Sequence, residues 1–357
     1  MSITLPNYIT GTYADGTERF TVTDDSRQEV LGPKCGPRKL EVRLFYPVCK
    51  EMTEGKKRMK LSEERVQAIQ KACMVKTLPE GLVRPECYTG VPQAEGKFPL
   101  VLYSHGYGSG VTEGNCLLCC ELASNGYIVA SIGHAYEAAI CEFDDGTVAL
   151  YDKEIKIQTG GIKSFFAQMK LVRMDAEAEE VYAYFDELQK KYMGFMLGRL
   201  PEWGKDSLCV IESLKKSYWD RIDFSKGIGA TGHSFGGNVA YWLCQYSEEI
   251  TCGANIDGGV FGDYTGMVMK KPFLQIGSKM NRNFEIKPLL ATEAPVRYEL
   301  FEGVTHAGFT DMKFMFEPDS PKEKMVVGKM DGSEMHRRLA DLHLEFFGEY
   351  LKNVGGK

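Results

Sequence analysis

Short runs that are apolar at nearly every position constrain this chain most. Leu100-Val-Leu-Tyr-Ser104, within the strand candidate Phe98–Ser104, and Tyr127-Ile-Val-Ala-Ser-Ile132 show almost no polar alternation. A strand of that kind must be covered on both faces. Lys39–Tyr46, Gly227–Gly232, Cys252–Asp257, Pro272–Ile276 and Arg297–Phe301 add further strand candidates, with long helical patterns between them. Such alternation predicts an α/β fold, a mostly parallel central sheet of about eight strands with helices on both faces. Glu18–Thr23 reads as an antiparallel edge strand.

The clearest helix starts near Met169, where Leu171, Met174, Ala178, Val181, Phe185 and Leu188 recur at three- and four-residue steps. A second is expected from about Ser207, with Asp206 or Ser207 as its N-cap, through Leu208, Ile211 and Leu214. A third begins at Ser333 and carries Met335, Leu339, Leu342, Phe346 and Tyr350 on one face. The 357 residues suit one domain, 1–357, with insertions at about 50–95 and 192–205. The first insertion holds a charged helical stretch, Lys56 to Lys76. The second is Met- and aromatic-rich beside glycines, the make-up of a pocket wall or lid or of ordinary inter-helix packing.

Composition removes several classes. With 43% hydrophobic and 26% charged residues the chain is neither disordered nor fibrous. A net charge of −6 disfavours a nucleic-acid partner, which needs a basic surface field. No apolar run is long enough for a membrane span. Met1-Ser-Ile-Thr-Leu-Pro6 has neither the basic nor the apolar region of a secretory leader, so a cytoplasmic location is expected. The eleven cysteines are odd in number and scattered from Cys35 to Cys252. Cys116, Cys119 and Cys120 read as one buried helix turn without a second pair at zinc-knuckle spacing, so no metal is expected.

Gly232-His233-Ser234-Phe235-Gly236 fits the G-x-S-x-G pattern of a serine held on a tight strand-to-helix turn. In a chain with 38 glycines the pattern alone is weak. Its setting strengthens it, because a strand candidate leads in and Gly237–Tyr246 leads out as a helix. That helix would present free N–H groups to a developing oxyanion beside Ser234. Upstream, the strand ending at Ser104 runs into His105-Gly106-Tyr107-Gly108, a turn suited to a second oxyanion donor. The backbone N–H groups of Tyr107 and Phe235 are the candidate donors, with His105, Gly106, Gly232 and Gly236 supporting the turns.

A serine nucleophile needs a base and a group to orient it. Of His105, His134, His233, His306, His336 and His343, only His306 follows the serine on a loop after a late strand; His336 and His343 read as surface or packing residues of the last helix. For the acid, the strand candidate ending Ala254-Asn-Ile-Asp257 puts an aspartate at a strand C-terminal edge, where catalytic groups gather in open sheets. Asp257 is therefore the expected acid and Glu285 the fallback, while Asp263 and Asp311 read as loop structure.

Together Phe98-Pro-Leu-Val-Leu-Tyr-Ser-His-Gly, Leu122-Ala-Ser-Asn-Gly-Tyr-Ile-Val-Ala-Ser, Gly232-His-Ser-Phe-Gly-Gly, Ile256-Asp-Gly and His306-Ala-Gly-Phe-Thr-Asp-Met resemble the platelet-activating-factor acetylhydrolase family, plasma and intracellular type II, of the α/β-hydrolase superfamily. The resemblance covers roughly 38–48 and 98–312. It implies Ser234 as nucleophile, His306 as base, Asp257 rather than Glu285 as acid, and the Tyr107 and Phe235 amides as oxyanion donors. Members that act on lipid surfaces carry apolar interface helices, whereas Lys56-Lys-Arg-Met-Lys-Leu-Ser-Glu-Glu-Arg65 is heavily charged and reads as a solvated face. The expectation is a serine ester hydrolase for short-acyl, small or lipid-like esters, needing no cofactor and making no peripheral membrane contact. A lipase, polyester hydrolase or peptidase with the same three residues, or a non-catalytic ligand binder, is the alternative.

Overall fold

A computed structural model describes Leu5, residues 8–155 and residues 161–352. The N-terminal stretch Met1–Pro6, Leu5 apart, lies outside them. In chain order the strands are β1 Ala14–Gln28, β2 Pro37–Val48, β3 Cys87–Thr89, β4 Leu100–Ser104, β5 Ile128–His134, β6 Ile140–Glu142, β7 Val148–Leu150, β8 Ile228–His233, β9 Ile250–Ile256, β10 Phe273–Ser278 and β11 Val296–Phe301. The helices are α1 Glu63–Ala72, α2 Glu80–Val83, α3 Cys116–Ser124, α4 Gly161–Val172, α5 Ala178–Tyr192, α6 Gly194–Ser217, α7 Phe235–Tyr246, α8 Pro321–Val326 and α9 Gly332–Phe347.

Among the described residues the main sheet has nine strands, ordered β11-β10-β9-β8-β4-β5-β2-β1-β3. The six from β11 to β5 are mutually parallel. β2 pairs antiparallel with both β5 and β1. The ninth strand, beyond the expected eight, is β3, three residues that cover β1 only at Asp15–Thr17. Successive β4 residues alternate between two cores, Leu100 and Leu102 packing with α5, α6 and α7, and Val101 and Tyr103 with α3 and α9. This is the two-sided burial that the apolar runs demanded.

Two helix boundaries depart from the periodicity. The pattern through Leu171 and Leu188 spans two helices, because Asn283 Nδ2 donates to the carbonyls of both Leu171 and Met174, each at 2.8 Å, and ends α4. Nor does a helix start at Asp206 or Ser207. Both lie inside the 24-residue α6, whose first half is the 192–205 segment. Asp206 is spent on Arg38 and His134 rather than on a cap. Ser207 Oγ bonds the Trp203 carbonyl one turn back at 3.0 Å. Gly204 lets α6 meet α7, since a Cβ there would lie 2.2 Å from the Trp242 ring.

The charged run of 56–65 is likewise more than a solvated face. Met59, Leu61 and Arg65 are buried. Arg65 bridges Glu41 at 2.6 Å, Glu113 at 2.9 Å and Glu142 at 3.1 Å, which anchors α1 to the sheet. No helix among the described residues is long and apolar enough to cross a membrane.

Candidate active site

Three side chains distant in sequence converge at the C-terminal ends of the parallel strands. Ser234 joins β8 to α7, Asp257 follows β9, and His306 opens a short helical turn after β11. The Ser234 backbone, at φ 58° and ψ −120°, occupies a region that L-residues rarely adopt. The motif's glycines make that turn possible. A Cβ on Gly236 would lie 2.0 Å from the Ser104 carbonyl oxygen, and one on Gly232 would lie 2.5 Å from the Gly236 backbone. The Ser234 N–H donates to the Ile256 carbonyl at 2.9 Å, fastening the turn to the end of β9.

His306 Nδ1 lies 2.7 Å from Asp257 Oδ2, and Nε2 lies 2.8 Å from Ser234 Oγ. With Nδ1–H donating to the carboxylate, Nε2 is left to accept the serine proton. Asp257 is fully buried. Its Oδ1 accepts the Ser278 N–H at 2.5 Å, and its Oδ2 also accepts Asn281 Nδ2 at 2.7 Å. These donors hold the carboxylate plane while His306, with 44% of its side chain exposed, faces the cleft. Glu285 does not reach His306 by any hydrogen bond. It is buried behind Asp257 and accepts the Tyr298 hydroxyl at 2.9 Å, and burial and the Asp257 charge push its pKa well up.

The turn after β4 packs directly on the serine. A Cβ on Gly106 would sit 3.3 Å from the Ser234 Cβ. His105 is a buried neutral ring. Its Nδ1–H donates to the Gly106 carbonyl at 2.8 Å and its Nε2 accepts the His134 N–H at 3.3 Å. Burial, then His134, pushes its pKa down to about 3. Phe235 is the first residue of α7, so its N–H has no partner within the helix. The Tyr107 ring stands edge-on to Phe235 at 5.6 Å and stacks on Trp203 at 5.8 Å. Behind this turn, Trp203 stacks on His134 at 3.6 Å, and His134 Nδ1 bonds Asp206 at 2.8 Å. Arg38 ties Asp206 at 2.7 Å to Glu137 at 3.1 Å and Glu29 at 2.8 Å.

Sequence reasoning gave no role to His233, the middle residue between Gly232 and Ser234. It is buried, and its Nε2–H donates to the His306 carbonyl at 2.8 Å, holding the His306 loop against the Ser234 turn. Burial, then His306, pushes its pKa down to about 3. Asn281 was also missed, since a lone loop asparagine carries no signal of what it faces. Of the other candidates, His336 and His343 are both buried on α9. Asp311 accepts the Leu117 N–H at 3.1 Å near the start of α3, and Asp263 is an exposed loop residue.

A cavity of about 240 Å³ opens at Ser234 and His306, walled by Leu61, Ile69, Leu78 and Leu82 from the 50–95 segment and by Met312 and Met315. The 192–205 segment instead backs the turn after β4, where Phe195 stands edge-on to Tyr107 at 6.1 Å. Among the described residues the convergent metal-ligating group is Cys87, Cys116 and Cys120, which is separate from Ser234, Asp257 and His306.

Comparison with solved structures gives a ferulic acid esterase from Streptomyces cinnamoneus at 21% identity and a TM-score of 0.69, over 98% of this chain and 93% of that one. The fold is that of the α/β-hydrolases. A platelet-activating factor acetylhydrolase of Gallus gallus is 26% identical over 255 residues, 67% of this chain and 58% of the relative. One of Cavia porcellus is 23% identical over 265 residues, 71% and 58%. The chain thus spans somewhat under three fifths of the length of these relatives. The family model for platelet-activating factor acetylhydrolase, isoform II, matches residues 8–354, nearly end to end. The chain belongs to the platelet-activating factor acetylhydrolase isoform II family.

Proposed function

We propose that this chain is a serine carboxylic-ester hydrolase that cleaves short-acyl esters through Ser234, His306 and Asp257. The observation that carries the reading is the hydrogen-bond line from Ser234 Oγ through His306 to Asp257, at 2.8 and 2.7 Å. In the proposed cycle His306 Nε2 takes the hydroxyl proton as Oγ attacks the ester carbonyl. The imidazolium, steadied by Asp257, returns that proton to the leaving alkoxide, and an acyl-serine remains. Water, deprotonated by the same imidazole, then releases the acid and regenerates the serine. The Tyr107 and Phe235 amides are the proposed donors to the oxyanion, with the positive end of α7 behind Phe235. No step calls on a metal or cofactor.

Membership of the family supports an acetyl ester of the platelet-activating-factor type as substrate, small or lipid-like. The cavity's roughly 240 Å³ falls below the ~300–1,000 Å³ usual for small-molecule pockets, which favours a short acyl group. We read the chain as one domain with 50–95 and 192–205 as insertions. All eleven cysteines are free thiols, which suits a reducing, cytoplasmic setting.

Ser234→Ala is expected to abolish turnover of p-nitrophenyl acetate and labelling by a fluorophosphonate, with the circular-dichroism spectrum and Tm unchanged. Undiminished hydrolysis by that variant would reject the assignment. Wild-type protein that neither turns over the ester nor takes the label would favour a ligand-binding role. Rates across p-nitrophenyl esters are expected to fall beyond about four acyl carbons, because a filled pocket rejects added methylenes; a rise instead would favour a lipase.

A further inference from the structure

Asp15 of β1 is fully buried, and neither of its carboxylate oxygens has a hydrogen-bond partner among the described residues. An unpaired buried carboxyl is costly, and it calls for an unseen partner. Its neighbour in the parallel β1/β3 pairing is Cys87, so the two side chains leave the sheet on the same side. On that side lies α3, where Cys116 and Cys120 stand one turn apart with their sulfurs 3.9 Å from each other. The sulfurs of Cys87, Cys116 and Cys120 all lie within 4.8 Å of one another.

These distances have a chemical meaning. Tetrahedral zinc with bonds of about 2.3 Å holds its sulfurs roughly 3.8 Å apart. The Cys116–Cys120 separation already matches that edge, and Cys87 needs to move by no more than about 1 Å. Three small buried thiols could be ordinary core filling, but that reading leaves Asp15 unexplained. A disulfide between Cys116 and Cys120 would leave both Cys87 and Asp15 without a partner. The Met59 thioether, 4.0 Å from Cys87 Sγ, is already engaged by Arg43 Nη1 at 3.1 Å. The Asp15 carboxylate is not among the atoms lying within 4.8 Å of one another, so it must turn toward the three sulfurs to serve as the fourth donor. A three-thiolate, one-carboxylate set suits a borderline-soft divalent ion better than copper(I), which favours sulfur alone.

We propose that Cys87, Cys116, Cys120 and Asp15 form a closed structural site for one divalent ion of the zinc class. The sequence carries no sign of it, because Cys87 lies 29 positions before Cys116 and is brought to α3 by strand pairing, with β1 on one side and residues 57–59 on the other. Loading would release the thiol protons and join β1, β3 and α3. It would thereby pin the end of the 50–95 segment that walls the cleft. Cys116 also lines the floor of that cleft, which gives the ion a path of entry.

The test uses the full chain purified under a non-chelating reductant. Elemental analysis is expected to find zinc near one equivalent, released by a mercurial thiol reagent. Cobalt(II) added to the stripped protein should give thiolate-to-cobalt charge-transfer absorption and the intense visible bands of a tetrahedral site. Cys120→Ser should remove both signals. Asp15→Asn should weaken cobalt affinity by at least about tenfold. Cys244→Ser, at a buried thiol outside the cluster, should change neither. Wild-type protein that carries no transition metal and gives no thiolate–cobalt absorption overturns the proposal without recourse to any variant. So does a Cys120→Ser protein that folds and still binds cobalt as wild type does. None of these readings depends on ester hydrolysis.

Discussion

At the scale of single residues, two carboxyls near His306 have separate roles. Asp257 touches Nδ1 and is locked by Ser278 and Asn281, whereas Glu285 lies behind it against Tyr298. An amide at 257 can offer its NH₂ to Nδ1, which turns the imidazole into the wrong tautomer and leaves the developing imidazolium without a counter-charge. Asp257→Asn is therefore expected to lower kcat on a p-nitrophenyl ester by about 10⁴-fold with KM little changed. Glu285→Gln keeps the shape of a group that burial and the Asp257 charge push toward its uncharged form and that makes no hydrogen bond to His306, and kcat should stay within about threefold. Steady-state kinetics on the two variants decides between them, and a reversed pattern would move the acid to Glu285. The serine was legible because its glycines meet immovable backbone at Ser104 and at residue 236 itself, a local constraint that leaves a local motif. Asn281 and His233 were not, because their partners lie 24 and 73 positions away.

At the scale of elements, α6 props the turn after β4 from behind. Asp206 sits fully buried among Arg27, Arg38 and His134; burial opposes its charge, but the Arg38 guanidinium and the hydrogen bond from His134 hold its carboxyl far below the ordinary range. Removing it would take one carboxylate from both guanidinium groups, leaving Arg38 with Glu29 and Glu137, and would leave His134 Nδ1 without its partner. Asp206→Ala is expected to cost about 3–5 kcal/mol in urea-unfolding experiments, the usual penalty for breaking a buried pair. The neighbouring Glu202→Ala, at a half-buried ion pair, should cost under about 1 kcal/mol. Equal effects would mean that the network is not what holds the helix in place. The first half of α6 escaped the sequence reading because Gly194, Gly198, Pro201 and Gly204 are all poor helix residues, and packing against Trp242 overrides their propensity. The break between α4 and α5 escaped it for the opposite reason. An unbroken apolar stripe continues across a gap whose free carbonyls, those of Leu171 and Met174, are taken up by Asn283, more than a hundred residues away. The central strands β4, β5, β8, β9 and β10, by contrast, follow from their own composition, since burial on both faces leaves little room for polar residues.

At the scale of the whole molecule, two cores share one sheet, and ionisable groups are sealed into both. His343 on α9 is one of them. It has no exposure, its Nδ1 donates to the Leu339 carbonyl at 2.8 Å, and its Nε2 lies 3.0 Å from Thr231 Oγ1. Burial pushes its pKa from the ordinary 6.5 down to about 4. The sign follows from proton counting. Below pH 6.5 the unfolded chain binds a proton that the folded ring refuses until about pH 4, so acid favours unfolding through that window. The other buried groups contribute equally to wild type and to His343→Gln, a substitution that keeps a polar side chain beside Thr231. Comparing the two proteins therefore isolates the one ring. From pH 7 to pH 5 the wild type is expected to lose about 2 kcal/mol more stability than the variant, at 1.36 kcal/mol per unit over the stretch below 6.5. Urea titrations at the two pH values measure this difference directly. Parallel losses in the two proteins would mean that His343 is protonated in the fold as readily as in the open chain, and that α9 admits water to the ring.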